Sequence, residues 1–196
     1  MTTSLASQHA TPGQPDVPAD GSRRIANLRA LFALVWAAGV FIAVGHRVPT
    51  AHSDVPTVAA ALLASYPLID VIASLVGATR TDTPSIVLRI NATLSALAVA
   101  AIAIAAFGSD AGSTLVAFGS WAAVSGIIQF GVAVHRRRTQ DRQIPMLISG
   151  GLSTVAGVMF IASSGSQDPH LSIVGGYMAL GAVLYLLSAN RGQTAR

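Results

Sequence analysis

The sequence predicts an all-α membrane protein: a polytopic helical bundle of six transmembrane helices, built as three repeated helical hairpins. Two observations carry this prediction. Of the 196 residues, 52% are hydrophobic and only 10% are charged, whereas about a quarter of a soluble domain is charged. In addition, the apolar run that begins at Trp121 stops at Arg136, Arg137 and Arg138, a juxtaposition typical of a transmembrane helix that ends in the cytoplasm.

The chain contains six apolar segments of helical length. They cover about 28–44, 56–78, 85–107, 112–134, 144–163 and 171–189. Each is close to the roughly 20 residues that a helix needs to cross about 30 Å of hydrocarbon, and none shows the alternating polarity of a membrane barrel strand. We therefore predict a transmembrane domain over 25–190. It lies between a disordered cytoplasmic tail at 1–24, rich in Pro, Gly and small polar residues, and a cytoplasmic tail at 191–196.

Arginine-rich and arginine-poor loops alternate along the chain. The loop after the fourth segment carries Arg136, Arg137, Arg138 and Arg142, while the loops after the third and fifth segments carry no arginine. Arginine is retained on the cytoplasmic side, so both termini are predicted to be cytoplasmic and the membrane to be the inner or plasma membrane. The same four arginines form a basic anchor that can attract anionic lipid head groups.

The basic pI of about 10.7 follows from arginines at the ends of apolar segments. A nucleic-acid footprint needs them clustered on one face. The predicted partner is therefore the lipid bilayer and not nucleic acid, and a homo-oligomer is an open alternative.

An internal repeat is indicated when the chain is compared with itself. An offset of 55 residues superimposes the second, fourth and sixth segments and places Tyr66 on Trp121. An offset of 58 residues superimposes 93–96 on 151–154. Two-helix units return to the side from which they started, so the repeats predict three hairpins of the same orientation.

Three motifs resemble a known family. They are Trp-x4-Gly-Ile-x-Gln-Phe at 121–130, Met-Leu-Ile-Ser-Gly-Gly-Leu-Ser-x2-Ala-Gly-x2-Phe at 146–160, and Gly-Tyr-x3-Gly-x3-Tyr at 176–185. Together they resemble the HdeD-like family of small six-helix membrane proteins built of short repeats. The resemblance implies an inner-membrane protein associated with acid resistance or stress, and it implies no catalytic residues.

Asp70 is the most informative single residue of the sequence. It lies well inside the second segment, where an unpaired carboxylate costs about 2.5–3.5 kcal/mol on insertion scales. Arg89 lies near the start of the third segment, and a pair between Asp70 and Arg89 across the hairpin is predicted. Two interpretations stay open: a structural pair that fixes the helix register, or a carboxylate that titrates or binds a ligand.

Other polar and small residues of the segments are predicted to mediate packing. Asn91 and Gln129 are candidates for hydrogen bonds between helices. Gly126, Gly157 and Gly181 are predicted to face other helices, because glycine lets helix backbones approach closely.

The predicted external loops gather histidines and aspartates: His46, His52, His170, Asp54, Asp110 and Asp168. Such a face could sense pH or bind a divalent metal, but the irregular spacing favours short polar loops without a metal site. The chain has no cysteine and contains no recognisable catalytic or nucleotide-binding motif. We therefore predict no catalytic residues, no cofactor and no resident metal.

The function predicted first is that of a non-enzymatic integral membrane protein of the HdeD-like kind with a role in stress or acid resistance. The alternative is a small transporter or proton-linked channel that uses Asp70. The two are distinguished by whether Asp70 faces a wet cavity or a sealed pair.

Overall fold

A computed structural model describes residues 19–45, 48, 50–78, 85–137, 144–167 and 171–190. These residues form six α-helices and no strand. The helices are α1 (Ala19–Val44), α2 (Thr57–Ala78), α3 (Ser85–Gly108), α4 (Ala111–Arg136), α5 (Ile144–Ser163) and α6 (Ser172–Asn190). Each predicted segment corresponds to one helix, so the all-α prediction is confirmed.

The first helix begins earlier than the sequence predicts. Residues 19–24, assigned to a disordered tail, form the first turns of α1. The stretch Arg23 to Ala30 contains alanines, arginines and leucine, which have high intrinsic helix propensity, so the helix extends beyond the apolar segment. Residues 1–18 and 191–196, which hold the rest of the predicted tails, lie outside the described residues.

The six helices pack as a closed ring in chain order. Each helix contacts its chain neighbours, and α6 packs back against α1. The most extensive contacts join α4 to α5, α2 to α3 and α1 to α6, while α1–α2, α3–α4 and α5–α6 touch over shorter stretches. The ring therefore has alternating tight and open seams around a central axis.

The tight seam between α4 and α5 is built on glycine. A Cβ atom added to Gly126 would lie 2.7 Å from the Gly150 carbonyl oxygen, and one added to Gly157 would lie 2.5 Å from the Gly119 carbonyl oxygen. The four glycines thus pair in antiparallel order, Gly126 with Gly150 and Gly119 with Gly157. Only a residue without a side chain allows two backbones to approach so closely.

The structure differs from the prediction at Gly181. No heavy atom lies within 4 Å of a Cβ atom placed there, because α6 packs mainly on α1 and only thinly on α5. The close approach in α6 is made instead by Gly175, where an added Cβ would lie 2.9 Å from the Phe41 ring. The two positions are six residues apart and point about 120° apart around the helix.

The outer surface of the ring is apolar. Large hydrophobic side chains are strongly exposed on different helices, including Ile42 (81% exposed), Ile104 (72%) and Leu97 (66%). Four helices, α2 to α5, contain stretches long and apolar enough to cross a membrane, and α1 and α6 contain shorter apolar stretches. A soluble monomer rarely exposes contiguous apolar surface on this scale, so the helices indicate a multi-pass membrane protein.

The interior of the ring is divided along its axis. At the end where α2, α4 and α6 begin, the centre is filled by fully buried apolar side chains, among them Leu63, Ile102, Leu115, Val174 and Met178. This apolar core closes that end. The opposite end, where α2, α4 and α6 finish, is not filled.

Candidate functional site: a polar cavity inside the helix ring

A cavity of about 420 Å³ lies within the unfilled half of the ring. All six helices contribute to its walls. Val87 and Met146 come from the first turns of α3 and α5, and Ala30 comes from the N-terminal half of α1. Most of the lining is aliphatic. Against this background, the polar side chains stand out on α2, α3, α4 and α5.

The inner end of the cavity is closed by aromatic side chains. Tyr66, Trp121 and Tyr177 line the cavity, and Phe118 and Phe160 lie behind them. Tyr66 and Trp121 meet edge to face with ring centroids 5.9 Å apart, and Phe118 packs against both of them and against Tyr177. Such edge-to-face contacts are favourable beyond the area they bury. We refer to these five side chains as the aromatic plug.

Asp70 lies on the cavity wall, half-buried, one helical turn beyond Tyr66. Its Oδ2 accepts a hydrogen bond from Asn91 Nδ2 at 2.8 Å and another from Ser95 Oγ at 2.7 Å. Ser95 Oγ in turn accepts from Trp121 Nε1 at 3.1 Å. Asp70 is thereby connected to the aromatic plug through one serine hydroxyl.

The two donors that the described residues offer to Asp70, Asn91 and Ser95, are neutral. Hydrogen bonds to an ionised carboxylate stabilise it, but an amide and a hydroxyl leave its net charge in place. Among the described side chains, none forms a hydrogen bond with Oδ1. One oxygen of Asp70 is fixed, and the other is available to a ligand or a proton.

The predicted pair between Asp70 and Arg89 is not formed. Arg89 is exposed on α3, and among the described residues the ion pairs do not include it. Asn91 takes the place of the arginine, donating to Asp70 and, at 2.9 Å, to Ser74 Oγ. Residues two apart on a helix point about 160° apart, so when Asn91 faces α2, Arg89 faces away from it.

A second polar cluster lines the cavity on α4 and α5. It comprises Ser125, Ser149 and Ser153, of which Ser153 Oγ lies 2.9 Å from the Tyr177 hydroxyl. Ser125 Oγ is buried, and the part of the chain that the structure describes offers it no hydrogen-bond partner. A buried hydroxyl without a partner is costly unless water or a ligand satisfies it, so this atom marks a further contact point on the wall.

The predicted bonds of Asn91 and Gln129 have different outcomes. Asn91 joins α3 to α2 through Asp70 and Ser74. Gln129 lines the cavity, and the described residues include no hydrogen-bond partner for its side chain.

The opposite end of the ring brings together two of the predicted loop residues. His52 Nδ1 lies 3.4 Å from Asp110 Oδ2, a contact that is an ion pair only when His52 is protonated. Asp110 also caps α4, accepting from the Ser113 backbone N–H at 2.7 Å. This backbone bond lowers the pKa of Asp110 below its ordinary value, so the cap keeps its charge in moderately acid solution.

The remaining loop predictions are answered only in part. Asp54 is exposed, and His46, Asp168 and His170 lie outside the described residues. Within the described part of the chain, no group of three or more histidines, aspartates or other candidate ligands could hold a metal ion.

Of the predicted basic anchor, the structure describes the side chain of Arg137, which is exposed and follows the last turn of α4. The backbone of Arg136 belongs to α4, while Arg138 and Arg142 lie outside the described residues. Arg137 lies at the end of the ring at which the cavity is found.

Ser95, Ser125 and the aromatic plug were not predicted as site residues, although Tyr66 and Trp121 were matched in the repeat. One signal could have found two of them. Under the predicted offsets, Asp70 corresponds to Ser125, and Ser95 corresponds to Ser153, and all four are at or next to the cavity. Polar residues at equivalent positions of the repeated segments could thus have predicted that these residues line a common cavity.

One comparison with known proteins matches part of the chain. A family model described as a short repeat of unknown function (DUF308) matches residues 92–162. This range covers most of α3, all of α4 and all of α5 except Ser163. No curated protein and no solved structure matches the chain. The matched region is less than half of the chain and is consistent with the HdeD-like resemblance. Residues 92–162 are therefore similar to a short-repeat family whose function is unknown.

Proposed function

We propose that this protein is a small, non-enzymatic transporter or proton-linked channel in which Asp70 binds the solute or carries the proton. The single observation behind the proposal is the environment of Asp70: a carboxylate on the wall of an open cavity, held among the described residues by two neutral donors and not by an arginine. An ionisable residue inside a membrane helix is costly and is usually retained for function. A sealed structural pair would have favoured a purely structural role.

Proton flux through reconstituted vesicles tests this proposal. With a pH-sensitive dye enclosed and an acid step outside, we expect the wild-type protein to carry protons faster than empty vesicles do. Asp70→Asn, which keeps the size of the side chain and removes its charge, is expected to reduce the flux to that of empty vesicles. Asp110→Asn is the matched control, because it makes the same change at the other end of the ring, and it should retain wild-type flux. Equal flux in wild type and Asp70→Asn would contradict the proposal.

A role in acid resistance or stress is the second candidate, and the HdeD-like resemblance favours it. The two candidates are compatible, because a proton-linked channel could act in acid stress. A deletion strain tested for survival at low external pH separates them. If the deletion strain survives poorly and expression of the Asp70→Asn variant restores its survival, the result would favour a structural stress role without proton transfer.

We further propose that all six helices span the inner or plasma membrane as three repeated hairpins, with both termini cytoplasmic. The alternation of arginine between loops supports this orientation, which would open the cavity towards the cytoplasm and hold the basic anchor against anionic lipid head groups. The bilayer is then the protein's main partner, and nucleic acid is not one.

Cysteine labelling tests the orientation without background, because the chain has no cysteine. We expect Gly165→Cys to react with an impermeant thiol reagent added outside intact cells. Thr139→Cys, in the arginine-rich loop, should react only after the membrane is permeabilised. The opposite pattern would reverse the orientation.

A further inference from the structure

We propose that the ligand of the cavity is a small lipophilic organic cation, such as an ammonium that carries an aromatic or branched apolar body. This inference rests on the proposed function, because it presumes that the cavity is a binding site. It adds the chemical class of the ligand, which follows from the charge, the aromatic content and the size of the cavity.

The charge of the cavity favours a cation. Among the described lining residues, Asp70 is the one acidic side chain, and there is no arginine or histidine beside it. Low-dielectric walls focus the potential of a carboxylate into the cavity that they line. An anion placed there would be repelled, whereas a monovalent cation would neutralise Asp70.

The position of the free oxygen strengthens this argument. Asn91 and Ser95 both bind Oδ2, so the carboxylate is oriented before any ligand arrives. Its Oδ1 then remains as an acceptor for a charged N–H donor or as a counter-charge for a quaternary ammonium. An oriented acceptor lowers the cost of ordering the site on binding.

The aromatic plug lies beside this carboxylate. Tyr66 precedes Asp70 by four residues and therefore lies on the same face of α2, and Trp121 is linked to Asp70 through Ser95. Tyr66, Trp121 and Tyr177 all line the cavity. Aromatic rings attract organic cations through the negative potential of their faces, and the attraction is stronger where the contact is desolvated.

The size and the aliphatic lining exclude a bare inorganic cation as the best ligand. A metal ion such as Ca²⁺ needs about six to eight oxygen ligands at short distance, and Asp70 and the serines of the wall are spread among aliphatic side chains. A volume of about 420 Å³ falls within the range of sites for drug-sized ligands. An organic cation fills that volume with apolar atoms while presenting one charge to Asp70.

Intrinsic fluorescence provides a direct test, because the chain has two tryptophans and only Trp121 lines the cavity. In the full-length Trp36→Phe variant in lipid nanodiscs, Trp121 is the sole reporter. We expect benzyltrimethylammonium to change its emission saturably, and benzenesulfonate, an anion of similar size, to cause no saturable change. Asp70→Asn should weaken cation binding by about tenfold or more, as expected for the loss of a charged partner. Asp110→Asn should bind like the parent.

Calorimetry on the wild-type chain repeats the comparison of cation with anion and needs no substitution, so it decides the matter even if a variant fails to fold. Equal binding of the two ions, or unchanged affinity in Asp70→Asn, would overturn the inference. If proton flux depends on Asp70 but the cation does not bind, the ligand class alone is wrong. If flux is also independent of Asp70, the proposed function fails with it.

Discussion

Leucine in place of Gly157 or Gly126 is expected to destabilise the protein more than any substitution on the lipid-facing surface. A Cβ atom at Gly157 would lie 2.5 Å from the Gly119 carbonyl oxygen, and one at Gly126 would lie 2.6 Å from the Thr154 nitrogen. These neighbours are backbone atoms of a helix and cannot rotate away. Leucine must therefore separate α4 from α5, at a cost of about 1–3 kcal/mol or more for overpacking.

The measurement is the thermal unfolding midpoint in mild detergent, and α4 itself supplies the control. Gly131 lies on the same helix and has no heavy atom within 4 Å of its Cβ position. We expect Gly131→Leu to unfold near the wild-type midpoint, while Gly157→Leu and Gly126→Leu unfold at clearly lower temperature. Three equal midpoints would show that the glycines do not hold α4 and α5 together.

The position of the helices along the chain could be predicted from sequence, because apolar length is a strong signal in a membrane protein. The bounds of α5 coincide with its segment, and those of α3 differ by one residue. Only the start of α1 departs widely, at Ala19. There, helix propensity continues the helix beyond the apolar segment that defines the prediction.

The rotation of each helix about its own axis could not be predicted in the same way. A soluble helix has one apolar face that indicates its inner side, but these helices are apolar all round. Successive residues point about 100° apart around a helix. A small error in the predicted rotation therefore changes which residue faces the neighbouring helix. For this reason Asn91 replaced Arg89 as the partner of Asp70, and Gly175 replaced Gly181 in the packing of α6.

A double-mutant cycle on Asp70 and Arg89 is expected to show no coupling, and this outcome distinguishes the observed cavity from a buried ion pair. If the two residues formed such a pair, removal of either one would cost about 3–5 kcal/mol, and removal of both would recover much of the loss. Because Arg89 is exposed and Asp70 is bound by Asn91 and Ser95, Arg89→Ala should yield wild-type amounts of folded protein.

Asp70→Ala, in contrast, leaves the amide of Asn91 and the hydroxyl of Ser95 without their acceptor. Each unsatisfied donor costs about 1–3 kcal/mol, so the yield and the unfolding midpoint should fall. The double variant should lose as much as Asp70→Ala alone, because the effects of independent sites add within about 0.5 kcal/mol. Asp70→Asn keeps an oxygen that can accept from Ser95 and should fold better than Asp70→Ala. Recovery of folded protein in the double variant would show that Asp70 and Arg89 form an ion pair in the folded protein. It would also remove the basis for a ligand-binding carboxylate.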